Sequence, residues 1–147
     1  MRTLYETQQD RDREERVKEH LQAVWKSTLH KLPIRYEVEW LAFRKDGRAV
    51  AAIEFKWRSN PSGRFETYLL ALGKWMALDR LRVACGLRSI LVVEFSDALM
   101  FHVLGEVDSD EIRIEWGGRT DRSDPNDMEP CVMIPMEKFR AIAGYDK

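Results

Sequence analysis

Apolar and polar positions alternate with a period of two through one stretch of the chain. Tyr36 to Arg58 reads YEVEWLAFRKDGRAVAAIEFKWR, two alternating runs on either side of Asp46-Gly47. Alternation predicts half-buried strands, and Asp-Gly between two such runs predicts a tight hairpin turn. A two-residue loop there pairs Trp40 with Ile53, Ala42 with Ala51, Val38 with Phe55 and Tyr36 with Trp57, so one face of the hairpin is wholly apolar or aromatic. The opposite face then carries Glu39 across from Glu54 and Glu37 across from Lys56.

Elsewhere the period changes. Val17, Leu21, Val24 and Thr28 follow a three-four spacing that predicts a helix over Asp10 to Trp25, after a frayed tail of residues 1–9. Continued backward, the stripe passes through Glu14 and Asp10, while Glu15 points about 100° away from it. Ser27 to Leu32 has no decisive pattern, and a short strand before Pro33 is one of its readings. Ser59-Asn60-Pro61-Ser62-Gly63 is a loop. A second helix is predicted over Phe65 to Cys85, stopped by Gly86. Ser89 to Phe95 reads as a buried strand, followed by strands at Leu99 to Leu104 and Glu111 to Trp116. A polar loop covers Gly117 to Pro130, then a short strand Cys131 to Ile134 and a final helix Met136 to Ala143. The order predicts an α/β (α+β) fold, a mixed central sheet flanked by helices.

Composition narrows the class. At 147 residues, 44% hydrophobic and 33% charged, the chain is expected to be one globular, soluble domain spanning residues 1–147. No apolar run approaches the roughly 20 residues that cross a bilayer, and MRTLYETQQDRDREER is too polar for a secretory signal. Cys85 and Cys131 belong to no CxxC pair, which argues against a disulfide framework or zinc site and fits a reducing cytoplasm. The formal net charge of −1 weighs against tight non-specific duplex binding unless basic residues cluster at an acidic site. His20, His30 and His102 show no metal spacing.

The hairpin carries the candidate chemistry. Carboxylates directly opposed on neighbouring strands, with Cβ atoms about 4.5–5.5 Å apart, repel each other. A hard divalent cation held by both removes the conflict, and Mg²⁺ is usually held by one or two carboxylates with waters and phosphate. Lys56 points into the same place. These are the parts for metal-assisted hydrolysis of a phosphodiester. A lone Glu-x-Lys occurs often by chance. The informative combination is the opposed Glu39 on the same face, after a turn and before a helix. The competing reading is a solvated strand face with Glu37–Lys56 as a surface ion pair.

Glu14 on a helix, Glu39 on a strand, then Glu54-Phe55-Lys56 resembles the PD-(D/E)XK nuclease superfamily, whose restriction-endonuclease-like core runs αβββαβ. The likeness spans roughly Tyr5 to Phe95 and is closest to small prophage-encoded members and archaeal-type Holliday junction resolvases. The GGRTDR segment at Gly117 to Arg122 also looks like the prophage proteins. The resemblance implies that Glu39, Glu54 and the Phe55 backbone carbonyl ligate Mg²⁺, with Mn²⁺ able to substitute, and that Glu14 binds the metal directly or through water. It implies that Lys56 positions or activates the attacking water or offsets transition-state charge; the ammonium beside two carboxylates favours the last role. The superfamily usually has Asp where this chain has Glu39, whose extra methylene gives the carboxylate a longer reach.

Further residues are candidates for DNA contact: Arg58, one alternation beyond Lys56, Lys74 on the second helix, and Arg119 and Arg122 in the polar loop. Bland readings stand beside them. Glu14 also suits a first-turn acid favoured by the helix dipole, Lys74 a snorkelling lysine, and the loop arginines simple solvation. Trp57 and Trp116 are aromatic surfaces on which an exposed base could stack. The expectation is a Mg²⁺-dependent deoxyribonuclease of phage or prophage type, cytoplasmic in its host cell, without an organic cofactor. It would act on branched or structured DNA and work as a homodimer. The alternative is the same fold without catalysis, serving as a nucleic-acid- or protein-binding module; a ribonuclease is a third option.

Overall fold

The computed structural model describes residues 6–33, 38–105, 112–118 and 128–145. Helix α1 spans Gln8–Trp25. It begins earlier than the apolar stripe predicts because Thr7 and Asp10 form a reciprocal capping box, each side chain accepting from the other's backbone N–H. Val17 and Leu21 are its fully buried residues. Lys26, in the left-handed conformation at φ 49°, closes it. Strand β1, Thr28–Lys31, resolves the ambiguous segment after the helix.

Strands β2 (Trp40–Phe43) and β3 (Ala49–Trp57) form the expected hairpin, with Trp40 opposite Ile53 and Ala42 opposite Ala51. The turn that produces this register is not the two-residue one. Arg44 and Arg48 close a three-residue loop, Arg44 N–H donating to the Arg48 carbonyl at 2.9 Å and Gly47 N–H to the Arg44 carbonyl at 2.9 Å. Gly47 sits at φ 85°, which explains the glycine. The extra loop residue is offset by a bulge: Phe43 faces Ala49 while Ala42 faces Ala51, leaving Val50 unmatched. The two irregularities cancel, so the expected register holds at Ala42 and Trp40. Val38, expected opposite Phe55 on the Trp40 face, instead packs in the other core cluster, because the chain bends before Trp40. Strand β2 is also shorter than predicted. Glu39 lies in a bend just before it, its N–H donating to the Ile53 carbonyl at 3.1 Å. The pairs proposed for Tyr36 and Glu37 fall outside the described residues.

The predicted helix over Phe65 to Cys85 is two elements. Strand β4 takes Thr67–Ala71 and helix α2 takes Leu72–Cys85, ending at Gly86 with φ 66°. Tyr68 and Leu70 are buried alternately along β4. The partner that makes this a strand is β8, Met128–Pro135, far along the chain and invisible to local periodicity. Strands β5 (Arg88–Glu94), β6 (Leu99–Val103) and β7 (Arg113–Gly118) lie close to the predicted positions. The final helix is a further correction. Met136–Lys138 makes one 3₁₀ turn, and Arg140–Ala141 is a short strand, β9, paired with β6. Phe139 and Ile142 bury in different core clusters, which one face of a helix could not achieve.

The main sheet has 6 strands in the order β1-β2-β3-β5-β6-β9, and the smaller sheet 3 in the order β4-β8-β7. Only β3 and β5 run parallel in these ladders, and β4 and α2 form the crossover between them. The αβββαβ order is therefore present, with β4 interposed before α2. Alternation along β5 divides the core. Ile90 and Val92 pack with Val17, Leu21, Trp40 and Ile53 on one side. Leu91 and Val93 pack with Leu78, Tyr68 and Val132 on the other. Ser89 Oγ donates to the Leu78 carbonyl at 2.6 Å, tying α2 to β5. Among the described residues, no helix is long and apolar enough to cross a membrane, and both cysteines are free.

Candidate active site

Ala52, Glu54 and Lys56 alternate along β3 on the face that looks towards α2. Because β3 is central, between β2 and β5, its inner positions are dry, and Glu54 is only 2% exposed. Two ammonium groups meet its Oε1: Lys56 Nζ at 3.6 Å, from the same strand, and Lys74 Nζ at 3.4 Å, from the first turn of α2. Its other oxygen, Oε2, is buried without a hydrogen-bond partner. Burial raises the Glu54 carboxyl above its usual range despite the two lysines.

Glu39 and Glu14 form the other half. Lys31, the last residue of β1, places Nζ 2.5 Å from Glu14 Oε1 and 3.2 Å from Glu39 Oε1. Burial, then a hydrogen bond shared with Glu39, raise the Glu14 carboxyl to about 7. Burial pushes the Glu39 carboxyl up as well, yet the hydrogen bond from Glu14 and the charge of Lys31 outweigh it and hold that carboxyl below the usual range. The two acids behave as a pair sharing one proton. Glu39 links the halves: its charge is felt by Glu54, and Lys74 acts on both.

The structure thus gathers Glu14, Glu39, Glu54, Lys56 and Lys74. The Phe55 side chain turns to the opposite face, stacked on Trp40 with centroids 5.6 Å apart. Arg58 stands aside from the acids. Its guanidinium donates to the Trp57 carbonyl at 2.9 Å and lies 4.8 Å over the Tyr68 ring. It lines a cleft of about 740 Å³ that begins at Lys56 and runs past Asn60, Ser62, Phe65 and Tyr68 to the smaller sheet. Arg119 and Arg122 lie outside the described residues. Lys31 is the site residue that the sequence did not reveal. Its face follows from Leu29, two positions earlier and buried, once 28–31 is known to be a strand.

Among the described residues, no three His, Cys, Asp or Glu side chains are already gathered as a metal cluster; ammonium groups stand among the acids instead. The donors nevertheless suit a hard divalent ion. All are carboxylate oxygens, one is buried and unpartnered, and two share a proton that a cation would displace.

The titration has a measurable consequence. A carboxyl raised in the folded state adds stability below its unfolded range and loses it as pH rises through the folded value. With chelator present, Tm is expected to fall between pH 5 and pH 8 through Glu14, with Glu54 acting in the same direction; the lowered Glu39 acts only at more acid pH. Calorimetry on Glu14→Gln should show a flatter curve. Parallel curves for the two proteins would contradict the assignment.

Residues 1–142 match the model of the family described as "Phage putative PDDEXK endonuclease". No curated protein matches the sequence. Among solved structures, the chain is similar to Hjc, a Holliday junction resolvase from the archaeal hyperthermophile Archaeoglobus fulgidus. Identity is 14%, the TM-score 0.47, and the overlap covers 80% of this chain and 85% of that one. The family match takes in both helices and all the acids and lysines described above, and the chain belongs to the phage PDDEXK endonuclease family.

Proposed function

We propose that this nuclease is a divalent-metal-dependent endonuclease that hydrolyses phosphodiester bonds in DNA, with branched or otherwise structured DNA as its substrate. The observation that carries the reading is Glu54: a buried carboxylate with one unpartnered oxygen, flanked by Lys56 and Lys74 and close in charge to Glu39. A buried acid left partly unsatisfied costs stability and is characteristic of a functional centre.

Glu39 and Glu54, with Glu14 and the Phe55 carbonyl, would hold Mg²⁺ or Mn²⁺. When bound, such an ion polarises the phosphoryl group and lowers the pKa of water. The chain's own groups do the rest. Lys56 and Lys74 approach from two elements and offset charge on the phosphoryl oxygens. Arg58, at the cleft that starts from Lys56, is placed to contact the backbone of a strand lying there. Structured DNA is favoured over a read sequence because the described elements are taken up by the two sheets and the helices packed on them, with none set apart as a base-reading element. A two-fold homodimer would present two such sites to a junction.

The test is incubation of the purified protein with a four-way junction, a linear duplex, a plasmid and an RNA of matching sequence, with Mg²⁺, Mn²⁺ or EDTA. Metal-dependent cutting of the junction ahead of duplex and RNA is expected. Binding without cleavage in either metal would overturn the proposal in favour of a binding module.

A further inference from the structure

Lys31 belongs to none of the roles assigned above, yet its ammonium sits at the meeting point of three acids: Glu14 at 2.5 Å, Glu39 at 3.2 Å and Glu6 at 3.8 Å. We propose that Lys31 is a tethered cation of the site, holding Glu14 and Glu39 together in the metal-free protein and withdrawing when a divalent ion takes those carboxylates. The inference rests on the proposed metal-dependent function.

Three features separate this arrangement from an ordinary surface ion pair. First, the backbone around it is fixed. Lys31 pairs with Trp40, and the next residue, Leu32, donates its N–H to the Glu39 carbonyl at 3.0 Å, so the lysine and Glu39 flank one ladder bond. Second, the Glu14 side chain is only 12% exposed, so its acid depends on a nearby positive group more than a solvated one would. Third, the Lys31 side chain is 41% exposed and flexible, and a lysine is a compact charge that leaves more readily than a bidentate guanidinium. The ammonium can therefore swing to water while its backbone stays in β1. The ion pairs of Glu54 are with Lys56 and Lys74, so the exchange concerns one half of the site.

Such a cation lowers the apparent affinity for metal by the fraction of time it occupies the acids. The full-length Lys31→Met protein is expected to bind Mn²⁺ about tenfold more tightly than the unaltered chain, by calorimetric titration without DNA. In the unaltered protein, the Lys31 side-chain ¹³Cε–¹⁵Nζ resonance should move as Mg²⁺ saturates the site, while that of Lys45 at the hairpin tip stays put. Unchanged or weaker Mn²⁺ affinity in Lys31→Met would overturn the inference. So would tighter affinity with an unmoved Lys31 resonance, since that is a long-range charge effect. Should Lys31→Met fail to fold, by circular dichroism, the resonance experiment on the unaltered chain decides alone. If the unaltered chain binds Mn²⁺ and Lys31 is silent, only this inference falls. If neither protein binds the ion, the metal-dependent reading falls with it.

Discussion

Lys56→Ala is expected to slow Mg²⁺-supported cleavage of a four-way junction by about a thousandfold, close to 4 kcal/mol of transition-state stabilisation. Lys56 is on the last half of β3, so its backbone is held by β5, where it faces Val93, and truncation leaves the strand in place. Its side chain is one-third exposed, so the charge can face both Glu54 and an incoming phosphate. Removing it leaves Lys74 3.4 Å from Glu54, which keeps the acid paired and the fold intact. The loss should therefore appear in single-turnover cleavage, with little change in Tm. Lys74→Ala should cost less, because Lys56 remains. Cleavage at the original rate in Lys56→Ala would remove this lysine from the chemistry.

The largest stability effect is expected at Glu94, outside the site. It is fully buried at the end of β5, with Arg13 Nε 3.3 Å and Arg16 Nη2 3.6 Å away, and it accepts a hydrogen bond from the Tyr145 hydroxyl. Arg13 also lies 3.9 Å over the Trp57 ring. One buried carboxylate thus ties α1, the end of β3 and the C-terminal segment together. Breaking a buried pair by deleting one partner costs about 3–5 kcal/mol. Glu94→Ala belongs near the lower bound, because Arg16 is exposed enough to hydrate and Arg13 keeps Asp10 at 3.1 Å. A loss of about 3 kcal/mol corresponds to a Tm lower by about 10 °C. Since Glu14 follows Arg13, α1 should also hold its acid less firmly, and cleavage should fall with stability. A Tm within 2 °C of the original would show that the network contributes little.

Local pattern made some of this legible. Alternation gave the hairpin register, and the same alternation placed Glu54 and Lys56 on one face. The helical stripe singled out Glu14 over Glu15. What local pattern could not give was long-range pairing. Thr67–Ala71 looks helical until β8 arrives from more than fifty residues away, and Phe139 and Ile142 look like one helical face until they bury on opposite sides of a sheet. Lys31 escaped notice for a related reason: four residues between a helix and a proline carry too few positions to show a period. The turn offers a different lesson. Asp46-Gly47 pointed to the right register through the wrong loop, because Val50 restored what the third loop residue had shifted.

That compensation also separates the tip of the hairpin mechanically from its base. Register below the bulge is pinned by β5 as well as by β2, so the Lys45–Gly47 segment can change length without carrying the acids to the wrong face. It is the natural place to insert an epitope or a fluorophore, giving a tagged protein whose chemistry remains that of the parent.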